Sequence, residues 1–168
     1  MVASAEDVPY EALYERGFRL VILDIDNTIV PHDAPADEHA TALFYRIHAS
    51  GLRSVVISNN NRARVQPFAE AVGTHFICKA GKPKSGAYQK AMAKYGVTRQ
   101  ETFAVGDQIF TDQWGAMAAG IRMILVSPID PAERQSIVFK RKLERPLLWI
   151  YRRVMQKNGT TYGGEIFS

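Results

Sequence analysis

Asp24 and Asp26 stand two residues apart at the end of the apolar run VILDIDNTIVP. Two carboxylates that close repel each other, so a cation or water must hold them. Asp107 and Asp112 recur in the later stretch GDQIFTD. Asp24, Asp26 and Asp107 near one point would suit a hard cation. Mg²⁺ takes oxygen ligands, keeps several waters and is usually held by one or two carboxylates plus a substrate phosphate. The four histidines, His32, His39, His48 and His75, lack the close spacing of a zinc site. With a lysine and a hydroxyl nearby, such a centre suits a phosphoryl group, because catalysis there is mostly positioning and charge neutralisation. Asp24 can then act as nucleophile and become an aspartyl-phosphate. Asp26 can protonate the leaving oxygen and later deprotonate the hydrolytic water.

The elements that must carry these groups follow from periodicity. Residues 20–25, 52–57, 75–78, 102–105 and 121–126 read as short apolar strands. Residues 36–50, 62–72, 85–95 and 111–119 read as helices, stopped by Gly51, Gly73, Gly96 and Gly120. Continuous apolar strands alternating with helices predict an α/β Rossmann-like three-layer sandwich with a central parallel sheet covered on both faces. Ligands of such sheets bind beyond the carboxyl ends of the strands. Polar groups collect there in order: Asp24 and Asp26 after the first strand, Ser58-Asn59-Asn60 after the second, Lys82-Pro83 after the third, Asp107 and Asp112 after the fourth. Cys78 reads as a buried thiol without chemistry, and Asp112 could equally follow a Thr111 N-cap and favour the helix dipole.

This ordered set resembles the four motifs of the haloacid dehalogenase (HAD) superfamily of phosphatases. The resemblance runs from Leu20 to Val126. It implies Asp24 as nucleophile and Mg²⁺ ligand, and Asp26 as general acid/base with its backbone carbonyl on the metal. It implies Ser58 and the Asn59 amide on a phosphate oxygen, and Lys82 bridging nucleophile and phosphate. Asp107 would bind Mg²⁺, Asp112 would bind or orient the metal shell, and Thr28 would support the loop. Lys79 and Lys84 compete with Lys82; Pro83 favours Lys82, as in the family motif. Neither the gap from Asp26 to Ser58 nor that from Ser58 to Lys82 has room for a cap domain. The site is therefore expected to be open, screened only by loop 29–35 or a neighbouring subunit.

The chain has 168 residues, 46% apolar and 23% charged, which fits a soluble globular domain. A lone cysteine suits a reducing compartment. No apolar run is long enough to cross a bilayer, and the first residues do not read as a secretory signal, so a cytoplasmic protein is expected. The division is a core over 1–130 and a tail over 131–168 within one domain. Between Arg134 and Lys157, eight Lys/Arg face one Glu, a local +7 that leaves −3 for the rest of the +4 chain. From Leu143, the residues Leu147, Ile150, Tyr151 and Val154 fall on one helical stripe. Arg145, Arg152, Arg153 and Trp149 lie opposite. Such a helix packs on the sheet, lies on an anionic membrane, or meets a polyanion such as RNA, the least favoured of the three. Residues 158–168 read as a loose end. The DIDNT form, the missing cap and the basic helix most resemble the YqeG-type HAD subfamily IIIA. That likeness implies a phosphorylated substrate, with phosphatidylglycerophosphate the best guess. A soluble or macromolecular phosphomonoester and a non-enzymatic scaffold are the alternatives.

Overall fold

The computed structural model describes residues 2–130; the basic helix and tail expected over 131–168 lie outside them. Five strands, β1 (Leu20–Leu23), β2 (Arg53–Ile57), β3 (His75–Ile77), β4 (Thr102–Gly106) and β5 (Arg122–Leu125), form one sheet. All of them run parallel, in the order β3-β2-β1-β4-β5. Helices α1 (Tyr10–Glu15), α2 (Glu38–Ala49), α3 (Arg62–Ala71), α4 (Gly86–Tyr95) and α5 (Trp114–Ala119) cover its two faces.

Alternation within each strand explains why the strands carry no polar face. Val21, Leu23, Val56, Phe103 and Val105 pack in one core with Leu43, Phe44 and Ile47 of α2 and Val65 and Phe68 of α3. Leu20, Ile22, Val55, Ile57 and Ala104 pack in a second core with Ala87, Tyr88 and Ala91 of α4 and Ala116 and Ala119 of α5. A strand buried on both sides is mostly apolar, as a parallel sheet requires; Ser54 and Thr102 are the buried polar residues near the strand starts. Gly96 and Gly120 close α4 and α5 in the left-handed conformation that glycine adopts without strain.

Most boundaries fall within two residues of expectation, and two departures shape the site. The first strand ends at Leu23, because the chain then curls around the Ile25 carbonyl, which accepts from the amides of Thr28, Ile29 and Val30. Asn27 turns this loop at φ 62°. The helix expected over 111–119 begins earlier, with a π-helical turn over Ile109–Gln113 before α5. Thr111 lies inside that turn and donates to Gln108 Oε1 at 3.0 Å, so it is not an N-cap. Cys78 is partly buried against the first core.

The N-terminal segment, read in the sequence only for targeting signals, belongs to the fold. Tyr10 and Leu13 enter the first core, and the Val2 amide donates to the Leu125 carbonyl beside β5. Arg46 of α2 ties the segment down, donating to the carbonyls of Glu6 (2.6 Å) and Val8 (3.0 Å) and to both carboxylate oxygens of Glu11. The ion pair is half exposed and contributes little alone, but the two carbonyls lose their partner with it. Arg46→Ala is expected to cost about 1–2 kcal/mol, read as a lower urea midpoint at unchanged m-value.

No domain is inserted among the described residues. Only a loop and α2 separate β1 from β2, and only α3 separates β2 from β3. Register pairs Leu23 with Val56 on one side and Val105 on the other. Asp24 therefore emerges between the ends of β2 and β4, where the strand order reverses and open α/β sheets bind ligands.

Candidate active site

At the end of β1, Asp24 is buried and its Oδ1 accepts from Lys82 Nζ at 2.7 Å. The same ammonium donates to Asp112 Oδ1 at 2.6 Å. Asp24, Asp107 and Asp112 each bring a carboxylate oxygen within 4.8 Å of the others. Three carboxylates around one ammonium leave two negative charges uncompensated if all are ionised. Their ionisation shows it. Burial, aided by the Asp112 charge and only partly offset by Lys82, pushes Asp24 up to about 7. Burial likewise lifts Asp107 to about 6, against the hydrogen bond from Thr28, and raises Asp112. Burial alone would lower Lys82, but the two carboxylates sharing it outweigh that and hold it cationic. The donor set is all oxygen, buried at Asp24 and Asp112 and partly buried at Asp107, and short of positive charge, which fits a hard divalent cation.

Each member is held by neighbours distant in sequence. Thr28 Oγ1 donates to Asp107 Oδ1 at 2.8 Å, linking the first and fourth strand ends. Asp112 Oδ2 accepts from the Gln108 amide at 3.1 Å, and Tyr88 OH donates to the Asp112 carbonyl at 3.2 Å. Asp112 reaches the cluster because Gly106 has no side chain: a Cβ there would stand 2.6 Å from Asp112 Oδ2 and 2.7 Å from its Cγ. Gly106→Ala is therefore expected to displace Asp112, cost about 1–3 kcal/mol and weaken divalent-cation binding. Isothermal titration calorimetry with Mg²⁺ on the purified variant checks this.

Of the three competing lysines, Lys82 is buried in the cluster, whereas Lys79 and Lys84 are exposed. Asn59 holds Lys82 there through its side chain. Its Oδ1 accepts from the Lys82 amide at 2.8 Å and its Nδ2 donates to the Lys82 carbonyl at 3.2 Å. The sequence reading placed only the Asn59 backbone amide at the site. Ser58 is buried directly after β2, and its Oγ accepts from the Asn60 amide at 3.1 Å, which leaves its hydroxyl proton to donate.

Asp26 is buried too, but its carboxylate belongs to a separate group. Its Oδ1 accepts from Arg64 Nη2 (2.8 Å) and Nε (3.3 Å) and from the Asp33 amide (3.1 Å). Its Oδ2 accepts from Asn60 Nδ2 (2.8 Å). Arg64, in the first turn of α3, had no signal in the sequence. One arginine at a helix start is ordinary, and only the folded loop brings it to a residue 38 positions earlier.

The haloacid dehalogenase-like hydrolase family matches residues 11–120. The Bacillus subtilis protein named Probable phosphatase YqeG is 34% identical over 139 residues, covering 82% of this chain and 81% of that one. Phosphatidylglycerophosphate phosphatase 1 of Arabidopsis thaliana, chloroplastic/mitochondrial, is 26% identical over 152 residues, covering 84% of this chain but 44% of that protein. A solved structure from Bacteroides fragilis, assigned to the haloacid dehalogenase-like hydrolases, shares the fold. Its TM-score is 0.53 at 13% identity, over 69% of this chain and 91% of that one. The chain belongs to the haloacid dehalogenase-like hydrolases. Within that class it is a phosphatase. No helix among the described residues is long and apolar enough to cross a membrane.

Proposed function

We propose that this chain is a Mg²⁺-dependent phosphomonoester hydrolase that works through an aspartyl-phosphate on Asp24 and acts on a lipid phosphomonoester, phosphatidylglycerophosphate. The observation that carries the chemistry is the buried Lys82–Asp24 contact at 2.7 Å beside Asp107 and Asp112. A carboxylate there has one oxygen fixed by an ammonium, and its other oxygen would be the one to attack phosphorus.

Asp24, Asp107 and the backbone carbonyl of Asp26 would hold the metal, with Asp112 holding it or ordering its shell. Mg²⁺ would supply charge neutralisation for the phosphoryl oxygens. Lys82 and the Ser58 hydroxyl bind phosphoryl oxygens. Asp24 attacks phosphorus while Asp26 gives its proton to the departing alcohol oxygen. Asp26, now a carboxylate, takes a proton from water as that water attacks phosphorus. Inorganic phosphate leaves and the Asp24 carboxylate is regenerated.

Three observations support the lipid substrate. The strand connections hold no cap to enclose a small metabolite, the Arabidopsis relative carries that activity in its name, and the basic stretch from Arg134 to Lys157 suits an anionic membrane surface. The protein would then work in the cytoplasm, peripherally at the membrane. Phosphate release from phosphatidylglycerophosphate in mixed micelles, with Mg²⁺ and then with EDTA, tests the reading against glycerol 3-phosphate as a soluble ester. Lipid turnover far above that of the soluble ester supports it; equal turnover, or preference for the soluble ester, removes the lipid assignment.

A further inference from the structure

We propose that Arg64 is a positioning residue for proton transfer, anchoring one oxygen of Asp26 so that the other serves the leaving group. The inference rests on the reading of Asp26 as general acid. The two oxygens of Asp26 are held unequally. Oδ1 takes three donors, two of them from the cationic Arg64 guanidinium and one from the Asp33 amide. Among the described residues Oδ2 takes one, the neutral amide of Asn60. Hydrogen bonds to a charged partner are roughly twice as strong as neutral ones. Oδ1 is thus the oxygen that stays, and Oδ2 is the one that can exchange its partner for a substrate oxygen.

Arg64 is built for an anchor. Its side chain is only 14% exposed, its guanidinium packs 5.8 Å from the Phe68 ring centroid, and its backbone amide is held by the Asn61 side chain that caps α3. It also faces the Asp33 carboxylate at 3.7 Å, so the same guanidinium latches the loop that follows the nucleophile. A proton on Oδ2 would pass to the alcohol oxygen as the phosphorus–oxygen bond breaks and the bond to Asp24 forms. In the second half-reaction Oδ2 takes a proton from water. Loss of Arg64 leaves Oδ1 with the Asp33 amide alone and lets the carboxylate turn.

General-acid help matters most when the departing alcohol is a poor leaving group, and kcat/KM reports the steps through its departure. The full-length protein is assayed with Mg²⁺ on para-nitrophenyl phosphate, whose phenolate leaves unaided, and on 2-phenylethyl phosphate, whose alkoxide needs the proton. Arg64→Met is expected to lower kcat/KM for the alkyl ester by about 100-fold and for the nitrophenyl ester by less than about 5-fold. Arg64→Lys should recover part of the loss. Thermal midpoints of all variants are measured alongside to separate misfolding from mispositioning. Asp26→Asn is the control and should show the same selectivity more strongly. Equal losses on both esters, or none, with Arg64→Met overturn the role of Arg64. If Asp26→Asn discriminates and Arg64→Met does not, only the anchor fails. If Asp26→Asn itself does not discriminate, the general-acid reading fails and the anchor with it.

Discussion

Asp24→Asn is expected to abolish phosphate release, by at least about 10⁴-fold in kcat, and to leave the metal-free protein no less stable than the wild type. The substituted amide keeps an acceptor for Lys82 Nζ but cannot attack phosphorus. The stability half follows from the site's charge. Asp24 is pushed up to about 7 in the fold, from an ordinary 3.8, chiefly because burial penalises its anion. An acid whose folded pKa is raised binds more protons folded than unfolded between those two values. Its linkage therefore makes stability fall as pH rises from about 4 to about 7, and the penalty stays at higher pH. In the metal-free protein, Asp24→Asn should flatten that slope and raise the thermal midpoint at pH 8. Phosphate release and thermal melts at pH 5 and pH 8, both in EDTA for the melts, read the two halves. Retained turnover removes Asp24 as nucleophile. A lower midpoint at pH 8 would show that the wild-type carboxylate stabilises the fold without metal.

Lys82→Met is expected to cut kcat/KM by about 10²–10³-fold and also to destabilise the metal-free fold. The ammonium is 3% exposed and bridges two carboxylates, one 9% and one 3% exposed. Removing one partner of a buried ion pair leaves uncompensated charge and costs about 3–5 kcal/mol. The thermal midpoint should fall most at neutral and higher pH, where Asp24, Asp107 and Asp112 would otherwise ionise. It should fall less at pH 5, where protonation relieves the cluster. Added Mg²⁺ should return part of the lost midpoint and little of the activity, because a cation can neutralise the carboxylates without taking Lys82's place on the phosphate. Lys82→Arg should not restore activity, since a planar fork does not reproduce a compact point charge between two carboxylates. A midpoint unchanged by Lys82→Met at pH 8 would mean that the cluster's charge is balanced some other way.

What could be read in the chain, and what could not, divides along a physical line. Strand and helix placement is local: five apolar runs, four periodic segments and their stopping glycines predict the parallel sheet, because a strand buried on both faces is mostly apolar. The topology rule then puts Asp24, Ser58, Lys82 and Asp107 at one rim without any distance being known. The segment that carries α1 was legible only as an absence of targeting features, since six helical residues show too little periodicity to stand out.

Among the competing side chains, the sequence favoured Lys82 only through Pro83, and the tertiary structure supplies the contacts. Lys79, Lys82 and Lys84 are alike in type. They are told apart by the 58 residues of chain that return Lys82 to Asp24 and by the Asn59 side chain that clasps its backbone. The sequence puts Asp26 beside Asp24, yet their carboxylates lie in different hydrogen-bond groups. The loop turns at Asn27, and Arg64 and Asn60 arrive from beyond β2. Gly106 reads in sequence only as the residue after the strand over 102–105, and only the packed π-helical turn makes it the space that Asp112 occupies. Residue type and order are properties of the chain, and they determined the fold class and the kind of chemistry. Which oxygen faces which donor depends on contacts between residues tens of positions apart, and only the fold decides it.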